Sequence, residues 1–276
     1  MKQVLKQYVV QRYPSLIAAY HTFRSARETF RHPTKPTPFG FRMKGHGSMQ
    51  RGDFERGETA LVRQLLPGIR TFVDVGANVG FFSCLARQAG LHVVAVEPSA
   101  HNLDLLLGNL AENGWTDVEV YPVALAREPG IATLYGEGTG ASLVRRWSGT
   151  SEVWRRLVPV STLDVLLDNR FPGERLMIKI DVEGLEHAVL AGARNTLTRE
   201  PSPVWLLEVC LTEHHPGGRN PDFAAVFETF WRDGYEARTA DSEHRLVRPE
   251  DVARWIAAGA RDFGWINFLF TRHASA

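Results

Sequence analysis

The sequence predicts an α/β fold in which a doubly wound, mostly parallel sheet carries helices on both faces. Segments of strand and helix character alternate along most of the 276 residues, and such alternation is typical of a parallel sheet flanked by helices. The stretch from Thr71 to Phe82 has the pattern of a buried strand, a glycine turn and a helix start. An acid, Glu97, closes the next strand, at the edge where such sheets bind ligands.

The strands are expected where short runs of apolar and β-branched residues end at turn residues. Five of them are predicted to be parallel, at residues 72–75, 92–96, 118–123, 176–180 and 204–209. Helices are predicted from apolar residues at three- and four-residue spacing, at residues 58–66, 81–89, 102–113, 185–197 and 223–233. Residues 235–239 and 266–270 are the last two strands, and we expect them to form an antiparallel edge.

The chain is expected to have two parts. Residues 1–38 are predicted to form an N-terminal helical arm and linker, and residues 39–276 the main domain. The arm is basic and amphipathic over residues 1–31. It is predicted either to pack on the domain or on a second subunit, as in a homodimer, or to lie on a membrane surface.

An insertion at residues 127–168 interrupts the alternation of strands and helices. Strands are predicted in it at residues 131–135 and, at an edge, 158–162. A glycine-rich turn and tryptophans between them suit a cover over a substrate site, which would bring Ser142 and Trp147 to the substrate. The alternative is a plain surface excursion.

Composition limits the partners and the compartment. The net charge of +1 gives no basic surplus that would predict a nucleic-acid partner. Cys84 and Cys210 lie in apolar surroundings, and we expect both to be buried free thiols in a reducing compartment. The sequence has no cleavable signal pattern and no long apolar run, so cytoplasmic residence is predicted.

The glycine turn predicts a ligand that has a ribose but no pyrophosphate. Gly76 lets the backbone approach a ligand because it has no Cβ, and Glu97 can accept hydrogen bonds from both ribose hydroxyls. A dinucleotide fingerprint would have glycine at position 78, where Asn78 obstructs a pyrophosphate. S-Adenosylmethionine meets these requirements, and a nicotinamide-dependent oxidoreductase is kept as an alternative. Asp74 either acts on the positive end of this ligand or caps its own turn.

Several motifs together resemble the FkbM-type methyltransferase family. They are Phe72-Val-Asp-Val-Gly-Ala-Asn-Val-Gly80, Val96-Glu-Pro98, Val160-Ser-Thr-Leu-Asp164, Ile178-Lys-Ile-Asp-Val-Glu-Gly-Leu-Glu186 and Val189-Leu-Ala-Gly192. The resemblance covers about residues 54–239. It implies a class I, Rossmann-like methyltransferase fold that uses S-adenosylmethionine and usually methylates oxygen. Known members modify polyketide-type metabolites and the sugars of surface glycans or glycolipids.

The resemblance also implies an acid before the first strand, at Glu58, that suits the methionine ammonium. The predicted cofactor-binding residues then cluster at the ends of the first, second and fourth strands. They are Glu58, Asp74, Gly76, Ala77, Asn78, Gly80, Glu97, Pro98, Asn102, Ala124 and Asp181.

The reacting end is expected where the fourth strand ends. Alternation places Lys179, Asp181 and Glu183 on one side of the extended chain. Because a sugar hydroxyl is a poor nucleophile at neutral pH, it needs a general base or a metal. The catalytic candidates are Lys179, Asp181, Glu183, Glu208, His214 and His215. Asp181 and Glu208 could also hold Mg²⁺ with waters, whereas Glu186 and His187 are predicted to face solvent.

These observations predict an S-adenosylmethionine-dependent O-methyltransferase. Its acceptor is expected to be a hydroxyl of a sugar in a glycan, a glycolipid or a glycosylated natural product. A polyketide or another non-sugar metabolite is the alternative acceptor.

Overall fold

The computed structural model describes residues 33–150 and 152–272, so the predicted arm at residues 1–31 lies outside the described residues. The strands are β1 (Lys35–Pro36), β2 (Arg42–Met43), β3 (Thr71–Val75), β4 (His92–Val96), β5 (Glu119–Tyr121), β6 (Ala124–Leu125), β7 (Gly130–Tyr135), β8 (Arg155–Ser161), β9 (Leu176–Ile180), β10 (Val204–Glu208), β11 (Glu236–Thr239), β12 (Leu246–Val247) and β13 (Asn267–Thr271). The helices are α1 (Gly47–Arg51), α2 (Arg56–Leu65), α3 (Phe81–Gln88), α4 (Ala100–Glu112), α5 (Leu163–Leu167), α6 (Glu186–Ala191), α7 (Arg194–Thr198), α8 (Phe223–Arg232) and α9 (Pro249–Ala258).

The central sheet has eight strands in the order β12-β11-β13-β10-β9-β3-β4-β5. The strands from β10 to β5 in this order are parallel, whereas β13 is antiparallel to both β10 and β11. This arrangement confirms the predicted mostly parallel sheet with an antiparallel edge. The carboxyl ends of β3, β4, β9 and β10 therefore meet at one edge, where doubly wound sheets bind ligands.

Helices cover both faces of this sheet, and each face has its own apolar core. Successive strand residues point to opposite faces, so Ile178 and Trp205 pack in one core while Met177 and Leu206 pack in the other. All five residues of β3 and of β9 are buried for this reason. A polar residue in either strand is consequently surrounded by protein.

The insertion folds into a second sheet, with the order β6-β8-β7. The run at residues 118–123 was expected to be one strand, but it ends at Tyr121, and the chain then enters the second sheet at Ala124. The expectation of an edge strand at residues 158–162 is also wrong. β8 begins at Arg155 and lies in the middle, where it pairs with β6 in parallel and with β7 in antiparallel orientation.

The helix predicted at residues 185–197 is two short helices, α6 and α7. The carboxylate of Asp164 accepts hydrogen bonds from the backbone N–H groups of Asn195 and Thr196, both at 2.9 Å. Such a bond satisfies amides that a helix start leaves free. A second helix, α7, therefore begins at Arg194, and α6 does not continue through this point.

The C-terminal part of the domain adds β12 and α9, which the sequence pattern did not predict. Pro249 stands in the first turn of α9, and the Asp251 carboxylate accepts a hydrogen bond from the Arg248 backbone N–H at 3.0 Å, both recognised helix-start signals. Cys84 and Cys210 are buried free thiols, as expected. Over the described ranges, no helix is both long enough and apolar enough to span a membrane.

Candidate active site

The backbone turns sharply after β3 and lies against the end of β9. Gly76 has a φ of +84°, and a Cβ there would lie 1.9 Å from the carbonyl oxygen of Asp181. The N–H groups of Gly76 and Ala77 donate to the carbonyl oxygen of Val96, at 2.9 and 3.0 Å. The turn is thereby held between the ends of β4 and β9, and only glycine fits at position 76.

The carboxylate of Glu97 is hydrogen-bonded to several polar groups at the end of β4. Its carboxylate accepts hydrogen bonds from the backbone N–H groups of Asn78 and Ser99, both at 2.8 Å, and from Nδ2 of Asn102 at 3.2 Å. Burial raises the pKa of this carboxyl to about 7. Within residues 33–150 and 152–272, the buried Oδ1 atoms of Asn78 and Asn102 have no hydrogen-bond partner. These acceptors, beside an acid, suit a ligand that brings hydroxyl or amino donors.

A cavity lies between this turn and the second sheet. Seven of the predicted cofactor-binding residues line it: Gly76, Asn78, Glu97, Pro98, Asn102, Ala124 and Asp181. The predicted substrate residue Ser142 and the catalytic candidate Glu183 line it as well. Four of the predicted cofactor-binding residues lie outside the lining, and they are Glu58, Asp74, Ala77 and Gly80.

Residues 136–150 of the insertion, called the cover segment below, contact both ends of this cavity. At one end, Nδ2 of Asn102 donates to the carbonyl oxygen of Gly138 at 3.2 Å. At the other end, Oγ of Ser142 donates to the carbonyl oxygen of Glu183 at 2.7 Å. One segment therefore joins the Glu97 end of the cavity to the Glu183 end.

Asp74 lies behind the cavity. It is 1% exposed, and its carboxylate accepts a hydrogen bond from Oγ of Ser83, at 2.5 Å, in the first turn of α3. Burial raises the pKa of Asp74, although the positive charge of Lys179 opposes the change. Any effect of Asp74 on a ligand must therefore pass through the electrostatic field or through Lys179.

Lys179 is a buried cation within a group of carboxylates. Its Nζ lies 2.9 Å from Oδ2 of Asp181, 3.4 Å from Oε1 of Glu58 and 4.8 Å from the ring centre of Phe82. Burial alone would lower the pKa of this ammonium, but the neighbouring carboxylates raise it well above its usual value. Lys179 therefore stays charged and partly neutralises the acids of the site.

Glu55 belongs to this group, although the sequence pattern did not predict it. It occupies the N-cap position of α2, three residues before Glu58, a spacing that brings two side chains together. Glu55 is exposed overall, but burial of its carboxyl and the charge of Glu58 raise its pKa to about 8. Asn267, in β13, completes the group, because its Nδ2 donates to Oε2 of Glu58 at 2.8 Å.

We expect Lys179→Met to lower the free energy of unfolding by about 3 kcal/mol near pH 8.5, because it leaves buried carboxylates without their cation. The pKa values of these carboxyls would then exceed their unfolded values. Such groups contribute stability that is present at low pH and lost as the pH rises through the folded pKa. The loss should therefore be smaller near pH 5.5, as urea denaturation at the two pH values would measure. Lys35→Met on the exposed strand β1 is the matched control, and an equal loss at both pH values for Lys179→Met would contradict the prediction.

Glu183 contacts the cover segment through its carboxylate as well as through its backbone. The indole Nε1–H of Trp147 donates a short hydrogen bond to its Oε2. Burial and the charge of Asp181 raise the pKa of Glu183 to about 8, and the bond from Trp147 opposes this rise. Glu183 has a φ of +56°, which is not an extended strand conformation. The alternation of strand residues therefore does not apply to it, and the expected alignment of Glu183 with Lys179 on one side of the chain is wrong.

Trp147 was expected to contact the substrate, but it is 0% exposed and contacts Glu183 instead. The prediction that Glu186 faces solvent is wrong. Glu186 is buried, because its carboxylate turns back to accept a hydrogen bond from the N–H of Gly184 at 3.0 Å. His187 is half-buried, with Nδ1 3.5 Å from Oδ1 of Asp222.

The remaining catalytic candidates are Glu208, His214 and His215, and they are not among the residues that line the cavity. Burial and the charge of Asp181 raise the pKa of Glu208 well above its usual value. His214 is exposed, with Nδ1 3.1 Å from Oγ of Ser148, and Nδ1 of His215 accepts a hydrogen bond from the N–H of Gly217 at 3.1 Å. Among the residues that the structure describes, no group of three or more His, Cys, Asp or Glu could hold a metal ion. The expected Mg²⁺ site at Asp181 and Glu208 therefore has no support.

A family model described as the methyltransferase FkbM domain matches residues 74–237, more than half of the chain. The chain belongs to the FkbM methyltransferase family. This methyltransferase is S-adenosylmethionine-dependent, and its central sheet is that of a class I methyltransferase. A search of curated proteins found no match.

Among solved structures, the methyltransferase is similar to the O-methyltransferase from Bacillus cereus in complex with SAH. The two share 15% identity with a TM-score of 0.46, over 97% of this chain and 96% of that chain. It is also similar to the ribosomal protein L11 methylase from Lactobacillus delbrueckii subsp. bulgaricus. Here the identity is 10% and the TM-score 0.43, over 80% of this chain and 78% of that chain.

The residues of the cavity fit S-adenosylmethionine. Glu97 and the free Oδ1 atoms of Asn78 and Asn102 match a ribose and its neighbouring donors. The carboxylates near Lys179 outnumber its single positive charge, which suits the ammonium and the sulfonium of the methyl donor. The donor supplies an electrophilic methyl group on that sulfonium.

Proposed function

We propose that this methyltransferase methylates a hydroxyl oxygen of a sugar in a glycan, a glycolipid or a glycosylated natural product. The observation that carries the proposal is the environment of Glu183. Glu183 lines the cavity, and the pKa of its carboxyl is raised to about 8. A base with a pKa near the working pH is best suited to remove a proton from a weakly acidic hydroxyl. An acceptor that is already a good nucleophile would not need such a base.

The other polar groups have separate roles in this proposal. Asp181 is paired with Lys179 at 2.9 Å and serves to hold the positive end of the donor. Burial and the charge of Asp181 raise the pKa of Glu208, which favours its protonated form, and that form can donate a hydrogen bond to the acceptor. These residues align the acceptor oxygen with the methyl carbon and exclude water, and such positioning lowers barriers by about 7–11 kcal/mol.

Trp265 supports a sugar as the acceptor. The residue is 43% exposed, and its ring lies over Gly57 in the first turn of α2, the helix that carries Glu58. A Cβ on Gly57 would lie 2.7 Å from Cη2 of Trp265. The apolar face of a sugar ring packs well on an exposed indole. A polyketide hydroxyl is the alternative acceptor, and a screen of sugars, glycolipids and polyketides with labelled methyl donor would distinguish the two.

Binding of the donor product tests the first part of the proposal. We expect Glu97→Ala to raise the Kd for S-adenosylhomocysteine by about 10- to 100-fold, because hydrogen bonds to a charged partner contribute about 1.5–3 kcal/mol. Isothermal titration calorimetry measures this change. Glu112→Ala, at the exposed end of α4, is the control and should bind like the wild type. Tight binding of NAD(P) without binding of S-adenosylhomocysteine would instead support the oxidoreductase alternative.

A further inference from the structure

Trp147 is the point at which the cover segment meets a carboxylate of the active site. The residue is fully buried, and its only polar side-chain atom, Nε1, donates to Oε2 of Glu183. We propose that Trp147 is a positioning residue, which holds the Glu183 carboxylate in place for proton transfer while the cover segment closes the cavity. This inference rests on the role of Glu183 in the proposed function.

The turn after β9 is shaped to receive this indole. Gly184 has a φ of +99°, and a Cβ there would lie 2.4 Å from Cζ3 of Trp147. The backbone of the same turn is held by Oγ of Ser142, which donates to the carbonyl oxygen of Glu183 at 2.7 Å. The cover segment therefore fixes both the main chain and the carboxylate of Glu183.

Packing alone does not account for this contact. Trp205 is equally buried in the central core, and its polar side-chain neighbour there is the neutral hydroxyl of Tyr235. At position 147, in contrast, the N–H is directed at the carboxylate of Glu183, a residue that lines the cavity.

The same segment also reaches the donor end of the cavity. The carbonyl oxygen of Gly138 accepts a hydrogen bond from Nδ2 of Asn102, which also donates to Glu97. A ligand that engages Glu97 therefore acts on a residue bonded to the cover segment. In this way, the position of the Glu183 carboxylate is linked to binding of the methyl donor at Glu97.

The hydrogen bond also changes the charge state of Glu183. A donor directed at the carboxylate favours the charged form, so removal of the indole N–H should raise the pKa of Glu183 further. The other titratable groups around Glu183 and Trp147 are Lys179, Asp181, Glu186, Glu208, Cys210, His214 and His215. A test must therefore separate Glu183 from these neighbours.

Indole resonances of the full-length protein labelled with ¹⁵N-tryptophan provide that test without any donor or acceptor. The chain has seven tryptophans, and Trp147→Phe assigns the resonance of Trp147 by removing it. In the wild type we expect this resonance to shift with pH, with a midpoint near the Glu183 pKa of about 8. In Glu183→Gln, which keeps an acceptor oxygen, the resonance should no longer titrate. A resonance that never titrates, or that titrates equally in Glu183→Gln, would overturn the proposal.

Controls remove three of the neighbouring titratable groups, Glu186, His214 and His215. Glu186→Gln and the double variant His214→Asn/His215→Asn should both keep the titration of the Trp147 resonance, and loss of it in either one assigns the effect elsewhere and overturns the proposal. Trp154→Phe, in the same insertion, should leave it unchanged. If Trp147→Phe does not fold, the resonance is identified as the indole signal that titrates near this pKa in the wild type and no longer titrates in Glu183→Gln, and the lack of any such signal would overturn the proposal. Failure of S-adenosylhomocysteine binding would reject the proposed function without altering this titration.

Discussion

Turnover of Glu183→Gln is expected to fall by about 10²–10⁴-fold, the usual contribution of a positioned general base. Glutamine has nearly the same shape and can still accept the Trp147 hydrogen bond, but it cannot take a proton. The affinity for S-adenosylhomocysteine should change little, because donor binding depends chiefly on Glu97 and the glycine turn. Turnover is measured with the acceptor found by the screen, and affinity by calorimetry.

Glu186→Gln is the matched control for this prediction. Glu186 is also a buried carboxyl whose pKa is raised, to about 7, by burial. Its carboxylate accepts hydrogen bonds from backbone N–H groups, among them that of Gly184 at 3.0 Å. The amide oxygen of glutamine can accept the bond from Gly184, so turnover should stay close to that of the wild type. Glu183→Gln with turnover within tenfold of the wild type would show that another group removes the proton.

Gly76→Ala is expected to abolish binding of S-adenosylhomocysteine and to lower the free energy of unfolding by about 2–5 kcal/mol. A left-handed conformation costs a residue with a Cβ about 1–2 kcal/mol, and overpacking against fixed atoms adds about 1–3 kcal/mol. The fixed atom is the carbonyl oxygen of Asp181, only 1.9 Å from the new Cβ. To relieve this contact, the turn and the end of β9 must separate, which moves the two strand ends that line the cavity.

Gly68→Ala separates these two costs. Gly68 also has a φ of +84°, but a Cβ there would meet nothing within 4 Å. Its substitution should therefore cost only about 1–2 kcal/mol and leave ligand binding intact. Denaturant unfolding and calorimetry on both variants measure the difference, and equal losses of stability would show that the close approach to Asp181 does not matter.

Much of the donor end of the site could be predicted because its residues lie next to strand ends. Gly76 and Glu97 follow β3 and β4 directly, and parallel strands bring such positions to one edge. A short motif and the order of the strands are enough to place them together. The sheet with its antiparallel edge follows from the same local patterns.

The parts that could not be predicted depend on contacts between distant residues or on unusual backbone angles. Glu58 and Asn267 lie 209 positions apart, so no local pattern joins them. Glu186 appears solvent-facing on a regular helix, but the positive φ angles of Glu183 and Gly184 turn the backbone N–H toward its carboxylate. The chain also leaves the central sheet within one apolar run, after Tyr121, and a change of sheet has no signature in hydrophobic periodicity.

The surplus of acids around Lys179 has a consequence for the complete catalytic cycle. In the proposed reaction the sulfur loses its positive charge and a proton takes its place on the carboxyl of Glu183, so the total charge in the cavity is unchanged at that moment. The neutral thioether product is then held less firmly by the carboxylates than the cationic donor that must replace it. Inhibition by the product should consequently be weakest after Glu183 has released that proton to solvent and is negatively charged again. Because the pKa of Glu183 is about 8, this release is easier in mildly alkaline conditions.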